Sequence, residues 1–150
     1  MTPPEDIKNE FIGKWIAKAE EDFDLARYLL ETRKSFLNAI GFHAQQAAEK
    51  YLKAYLVFVQ VDFPKTHSIE RLLTIVAASN SELAGSLDGA VALTDYGVEV
   101  RYPGELPALS LEQAQHAVKL AGAVRKAVLR ALERTGENAD GISNEIPDER

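Results

Sequence analysis

The chain has 150 residues, 46% of them hydrophobic and 27% charged, and these proportions are typical of a single globular domain. It contains no cysteine, which excludes disulfide bonds, thiolate metal sites and cysteine nucleophiles. No apolar run approaches the roughly 18 residues of a membrane span, and the first ten residues lack the basic and apolar stretches of a signal peptide. We therefore expect a soluble, cytoplasmic protein that does not bind membranes.

The formal net charge is −6, and most of it lies at the carboxyl end. Residues 135–150 hold five acidic side chains and one basic one, which gives −4 and leaves −2 for the rest. Such a nearly neutral body argues against a general nucleic-acid binder that is held by phosphate neutralisation. A local basic stripe is still compatible with this charge.

Apolar residues that recur three and four positions apart predict five helical segments. The first covers about residues 8–32, and the acids around its apolar stripe fit a solvated helix face better than a cation site. The second covers about residues 35–60 and is rich in alanine at its middle. Because small side chains let neighbouring helices approach closely, we expect the second helix at the centre of a bundle.

The next two segments are predicted from their start signals. A short third helix follows Thr66 or Ser68, either of which can serve as its N-cap. Ser79 and Glu82 have the spacing of a capping box and predict the start of a fourth helix, which ends before Tyr102. Three glycines within this fourth helix allow a bend.

The last helix begins at another capping-box pair, Ser110 and Gln113, and is expected to end before Gly136. The polar residues beyond it have too few apolar side chains to offset the entropy of ordering. No segment shows the alternation of a strand. The sequence therefore predicts an all-α helical bundle over residues 1–134, followed by an acidic disordered tail over residues 135–150.

Several kinds of chemistry have no support in the sequence. Helical bundles that bind metal typically use a Glu-x-x-His motif, which is absent, and the three histidines, His43, His67 and His116, lie on different segments. Glu112 and His116 are spaced as an exposed helical pair. Neither phosphate-binding glycine loop nor the GxSxG motif of a nucleophile elbow occurs. We expect no metal and no cofactor.

Three stretches are unusual for plain bundle packing: FHAQQAAEKYLKA at 42–54, KTHSIERLL at 65–73 and RYPG at 101–104. In these stretches the chain resembles the HEPN family, over about residues 10–133. The resemblance implies an up-and-down bundle of four long helices and one short helix that forms a homodimer and binds a nucleotide or RNA. It also implies a separately encoded minimal nucleotidyltransferase as partner, in a toxin-antitoxin or defence system.

In the ribonuclease members of this family, an arginine and a histidine separated by four to six residues activate the ribose 2′-hydroxyl across the dimer. Here Arg101 is followed by Tyr-Pro-Gly-Glu-Leu-Pro-Ala, and no histidine occurs before His116. No catalytic residue is carried over, so enzymatic activity is left open. One alternative is a ribonuclease toxin with a non-standard site, in which His67 or His43 is the base and Arg101 stabilises the phosphate. Another is a purely structural interaction domain.

The candidate ligand-binding residues are predicted to line one polar groove between the second helix, the third helix and the end of the fourth. They are His43, Lys50, Lys53, His67, Tyr96, Arg101 and Tyr102. Cations gathered without matching acids favour a phosphate ligand. The alternatives are that the two lysines are solvated, that Arg101 caps the fourth helix, or that Glu49 and Glu70 neutralise these bases and make the groove structural.

Overall fold

The computed structural model describes residues 3–32, 35–98 and 108–140, with side chains described over 4–32, 35–98 and 108–133. All regular structure in these ranges is helical, as predicted. The elements are α1 (Pro3–Thr32), α2 (Leu37–Phe58), α3 (Ile69–Ser79), α4 (Ser81–Ser86), a 3-10 turn (Asp88–Ala92), α5 (Leu93–Tyr96) and α6 (Leu111–Asp140).

Helix α2 lies at the centre of the bundle, which confirms the prediction made from its alanines. It packs against α1, α3, α5 and α6. Ala44, Ala47 and Ala48 are completely buried, and every residue from Tyr51 to Leu56 is buried as well. The methyl side chains leave room for neighbouring backbones on several sides of the helix.

The two 30-residue helices, α1 and α6, flank α2 in opposite directions. Lys8 lies over the ring of Phe58 while Asp22 contacts His43, so α1 runs antiparallel to α2. The amide of Leu109, just before α6, donates to Asn38 at the start of α2, so α6 runs parallel to α2. Buried alanines, valines and Phe23 from α1 and α6 complete the core.

The N-cap of α3 is Ser68, one of the two predicted residues, and its hydroxyl accepts a hydrogen bond from the amide of Arg71 at 3.1 Å. The predicted start of the fourth helix is wrong by one residue. Ser79 is the last residue of α3, and Asn80 caps α4 by accepting a hydrogen bond from the amide of Leu83 at 3.0 Å. Asparagine is among the best N-cap residues, so it outcompetes the neighbouring serine.

The predicted fourth helix is broken into α4, the 3-10 turn and α5. Gly85 and Gly89 lie within this stretch, and each costs about 1 kcal/mol relative to alanine in a helix interior. Gly97 is the C-cap of α5. A Cβ atom added at Gly97 would lie only 2.5 Å from the Cβ atom of Gln45 on α2. The interrupted segment thus ends pressed against α2.

The capping box of α6 forms as predicted. The hydroxyl of Ser110 accepts from the amide of Gln113 at 3.1 Å, and the side chain of Gln113 accepts from the amide of Ser110 at 2.9 Å. The predicted end is wrong, because α6 continues past Gly136 to Asp140. One glycine costs a helix about 1 kcal/mol, which does not by itself stop it. The predicted tail beyond 140 lies outside the described residues.

Candidate functional site: a polar cleft beside two ion-paired clusters

The structure divides the described basic side chains of the predicted groove between two carboxylates. His43 and Lys50 pair with Asp22, whereas Lys53 and His67 pair with Glu49. We name these groups the Asp22 cluster and the Glu49 cluster. These four basic side chains therefore do not line one edge that lacks matching acids.

The Asp22 cluster joins α1 to α2. Its carboxylate bonds to Nδ1 of His43 at 2.8 Å through one oxygen and accepts from Nζ of Lys50 at 2.5 Å through the other. The seven-residue spacing does put His43 and Lys50 on one face of α2, as predicted, but this face looks towards α1. Asp22 was expected on a solvated face and instead is mostly buried between the helices.

The Glu49 cluster is buried more deeply. Glu49 is 2% exposed and accepts from Nζ of Lys53 at 2.9 Å, while Nδ1 of His67 lies 3.1 Å from both carboxylate oxygens. Lys53 is 7% exposed, so it is not solvated, and its ammonium lies 5.4 Å from the ring centre of Trp15. Buried charges require such partners, and the pairing with Glu49 matches the structural alternative weighed for these bases.

A cleft of about 410 Å³ opens beside the Glu49 cluster, between α2, the residues before α3 and the end of α5. It is lined by Phe42, Gln45, Gln46, His67, Thr94 and Gly97, and we call it the α2–α5 cleft. Its location is where the groove was predicted. Of the predicted site residues that the structure describes, His67 lines this cleft, and its side chain is 81% exposed.

The amides of the cleft form a chain. Nε2 of Gln46 donates to Oε1 of Gln45 at 3.1 Å, and Nε2 of Gln45 donates to the carbonyl oxygen of His67 at 2.9 Å. These contacts fix Gln45 and the backbone at the start of α3. Sequence reasoning quoted both glutamines in the motif but did not select them, although two adjacent amides in an alanine-rich central helix were a usable signal.

Tyr96 is bonded away from the cleft. Its hydroxyl lies 2.9 Å from Nδ1 of His116, and the two rings meet edge to face at 5.7 Å. This contact connects α5 to α6 and replaces the exposed pair that was expected between His116 and Glu112. Arg101 and Tyr102 lie outside the described residues.

A third polar group connects α1, α2 and α6. Arg125 donates to Glu20 through Nε at 2.6 Å and through its terminal nitrogen at 3.1 Å, and the hydroxyl of buried Tyr51 also donates to Glu20. The bonds from Arg125 hold the pKa of Glu20 below its ordinary value. Burial, together with Glu20, raises the pKa of Tyr51. Sequence reasoning missed this group, because its members lie on three separate helices.

Two negative findings apply to the described part of the chain. No group of three or more histidine, aspartate or glutamate side chains there is arranged to hold a metal ion. None of the helices there is both long and apolar enough to cross a membrane.

Comparison with solved structures shows the same bundle in two other proteins. TT1696 from Thermus thermophilus superposes with a TM-score of 0.62 at 25% identity, covering 79% of this chain and 96% of that one. ST0689, an archaeal HEPN homologue, gives a TM-score of 0.59 at 21% identity, covering 81% of this chain and 97% of that one. None of the curated proteins matches. The HEPN domain model matches residues 12–132, so the chain belongs to the HEPN family.

Proposed function

We propose that this HEPN protein is a binding module that holds a nucleotide, or the end of an RNA, in the α2–α5 cleft. The observation that carries the proposal is the lining of the cleft, which combines the aromatic ring of Phe42 with the amide of Gln46 and the exposed ring of His67. Proteins recognise single nucleotides by stacking the base on such rings and by hydrogen bonds to its edge.

The phosphate needs a cation that is not already neutralised. His43, Lys50 and Lys53 are each paired with a carboxylate, so we do not assign the phosphate to them. We assign it to Arg101, which follows Gly97 of the cleft by four residues and can form bidentate bonds to phosphate. Tyr102, the next residue in the sequence, is included in the proposed ligand-binding set.

The proposal includes the partners that the family resemblance implies. The protein acts in the cytoplasm as a homodimer together with a separately encoded minimal nucleotidyltransferase, as one half of a toxin-antitoxin or defence system. Family membership supports this assignment. Sequencing the neighbouring reading frame tests it: a minimal nucleotidyltransferase that co-purifies with this chain after joint expression supports the partnership, and an unrelated neighbour contradicts it.

Calorimetry on the full chain tests the ligand. We expect one member of a panel of nucleotides and short RNAs to bind, and its affinity to fall as salt is raised. Gln46→Ala removes a hydrogen bond worth about 1 kcal/mol and weakens binding several-fold, and Arg101→Ala weakens it further and reduces the salt dependence. Gln115→Ala, at an exposed position of α6, is the matched control and leaves affinity unchanged. Equal affinities for Gln46→Ala and Gln115→Ala would refute binding in the cleft.

A second candidate function, ribonuclease activity, is favoured by one observation. Nδ1 of His67 is held by the buried carboxylate of Glu49, so with the proton on Nδ1 the exposed ring offers Nε2 as a proton acceptor. His43 is held by Asp22 but is mostly buried. Under the binding-module proposal, labelled RNA stays intact without metal. Cleavage that survives purification and is lost in both His67→Gln and Arg101→Ala would favour the ribonuclease.

A further inference from the structure

One face of α1 carries large apolar side chains that are exposed rather than buried in the bundle core. Ile7, Phe11, Leu25 and Tyr28 are 54%, 50%, 39% and 59% exposed. Charged residues continue the same three- and four-residue spacing between them. The resulting α1 stripe consists of Ile7, Phe11, Lys14, Lys18, Glu21, Leu25 and Tyr28, all exposed.

The α1 stripe is separate from the side of α1 that faces the bundle. That inner side buries Ala19, Phe23 and Ala26 against the core. Solitary exposed apolar residues are ordinary on protein surfaces, but four on one helix face, arranged in two pairs, are typical of an interaction surface. The arrangement of the charges then indicates what occupies it.

The α1 stripes of two copies are complementary when the two α1 helices run antiparallel. With two copies of α1 antiparallel and crossing near residue 18, Ile7 faces the partner's Tyr28 and Phe11 faces the partner's Leu25. Lys14 faces the partner's Glu21 on both sides of the crossing, so two attractive pairs flank the single contact between Lys18 and its own copy. A parallel pairing would instead oppose Lys14, Lys18 and Glu21 each to its own copy, which gives three repulsive pairs and no attractive one.

We propose that a second copy of this chain docks on the α1 stripe, with the two α1 helices antiparallel about a two-fold axis near Lys18. Each subunit uses the same patch, as a closed dimer requires. This inference rests on the homodimer included in the proposed function and deepens it by naming the surface and the register.

The area of the α1 stripe determines how tightly we expect the two copies to bind. At 1.5 Å per residue the stripe is about 32 Å long, and a helix is about 10–12 Å wide. This surface is smaller than the roughly 800 Å² per partner of a standard interface. We therefore expect a dissociation constant on the order of micromolar, with monomer and dimer both present at working concentrations.

Introduced cysteines test the register directly, because these 150 residues contain no cysteine. Under mild oxidation at micromolar concentration, Lys18→Cys should form a disulfide-linked dimer. Leu25→Cys is the control on the same stripe. Its two copies would lie about 21 Å apart along the helix axis, far beyond the Cα separation of a disulfide. Equal crosslinking of both variants would overturn the antiparallel register.

Charge reversal provides an independent test by sedimentation equilibrium. Lys14→Glu and Glu21→Lys should each raise the dissociation constant about five-fold, since every pair occurs twice in the dimer. The double variant should restore it. Lys14 also contacts Glu10 at 3.4 Å within its own helix, but the double variant loses that contact too, so it cannot explain a recovery. Asp24→Lys, exposed and outside the stripe, is the control.

The outcomes separate the surface from the proposed function. A chain that stays monomeric at about 100 µM, a hundred times the expected dissociation constant, contradicts both the homodimer and the α1 stripe. A dimer that neither crosslinks through Lys18→Cys nor responds to charge reversal contradicts the α1 stripe and leaves the homodimer standing. Nucleotide binding, read by calorimetry, is unaffected by either result.

Discussion

Glu49 illustrates how a buried charge is accommodated in this bundle. A carboxylate that is 2% exposed is tolerated because Lys53, Gln45 and the ring of His67 all bond to it. The same contacts attach the start of α3 to α2, so they also shape one wall of the α2–α5 cleft.

We expect Glu49→Met to lower the free energy of unfolding by about 3–5 kcal/mol, because it leaves the ammonium of Lys53 buried without a carboxylate. Replacing both residues with Met should cost less than the single change, since no uncompensated charge remains. Urea denaturation of the two variants measures this. A double variant that is as unstable as the sum of the two single variants would contradict the account.

The pH dependence of stability should show the contribution of the ion pair between Glu20 and Arg125. Because Arg125 holds the folded pKa of Glu20 below its unfolded value of about 4.3, its contribution is complete above that value. The contribution is lost as the pH falls through the lowered pKa. Glu20→Gln should therefore lower the melting temperature at pH 7, and the difference from the unchanged protein should shrink below about pH 4.

Glu31→Gln is the control for this experiment, because Glu31 is an exposed acid on the same helix. Its melting temperature should follow that of the unchanged protein across the pH range. If Glu20→Gln behaved in the same way, the bridge to Arg125 would contribute nothing to stability.

At the residue scale, the sequence predicted which basic residues share a helix face and named Glu49 as a competing partner, but it did not predict the pairing of His43 and Lys50 with Asp22. The spacing of His43 and Lys50 is local and follows from helix geometry. Their carboxylate, Asp22, comes 21 residues before His43, on a helix whose rotation about its axis depends on packing of the whole bundle. The sequence alone therefore predicted a solvated position for Asp22, although its carboxylate bonds to two side chains of α2.

Among the elements, two helix starts were predictable. The N-cap at Ser68 and the capping box at Ser110 involve residues only three positions apart, so the sequence contains the whole interaction. The break in the fourth segment was less predictable. There the glycines permit several backbone paths, and contacts with α2 select one of them.

Gly41 provides a test of that close packing. A Cβ atom at this position would lie 2.4 Å from the carbonyl oxygen of Tyr96 and 2.5 Å from a methyl group of Leu109. We expect Gly41→Ala to destabilise the protein by about 1–3 kcal/mol, because backbone cannot move aside as a flexible side chain can. The gain in helix propensity, about 1 kcal/mol, is too small to compensate.

The matched control is Gly13→Ala in α1, where nothing lies within 4 Å of the added methyl group. This variant should be more stable by about 1 kcal/mol, since only helix propensity changes. Thermal unfolding of both variants gives the comparison. Changes of the same sign would show that α2 and α5 are not in close contact at Gly41.

At the scale of the whole molecule, the all-α fold and the family could be predicted, because helical periodicity and the FHAQQAAEKYLKA and HSIERLL motifs are local patterns. The division of the polar groove into the Asp22 cluster and the Glu49 cluster could not be predicted from the sequence. It depends on how α1 and α3 meet α2, which brings together residues from distant parts of the chain.

The contribution of the carboxyl-terminal residues to stability can be tested by truncation. Deleting residues 137–150 should change the melting temperature by no more than about 2–4 °C, the shift that corresponds to about 1 kcal/mol for a domain of this size. The reason is that the deleted sequence has few apolar side chains to bury. A larger decrease on thermal unfolding would show that these residues belong to the folded bundle.

The measurement that tests the central claim most directly is a nitrogen-15 NMR titration of the full chain with adenosine monophosphate and with a short RNA. Binding in the α2–α5 cleft predicts saturable shift changes in the backbone amides of Phe42, Gln46, His67 and Thr94, and in the side-chain amide of Gln46. The amides around the Glu20–Arg125 bridge should stay constant. Shifts that avoid the cleft, or no shifts at millimolar ligand, would contradict the proposal that this HEPN protein binds nucleotides there.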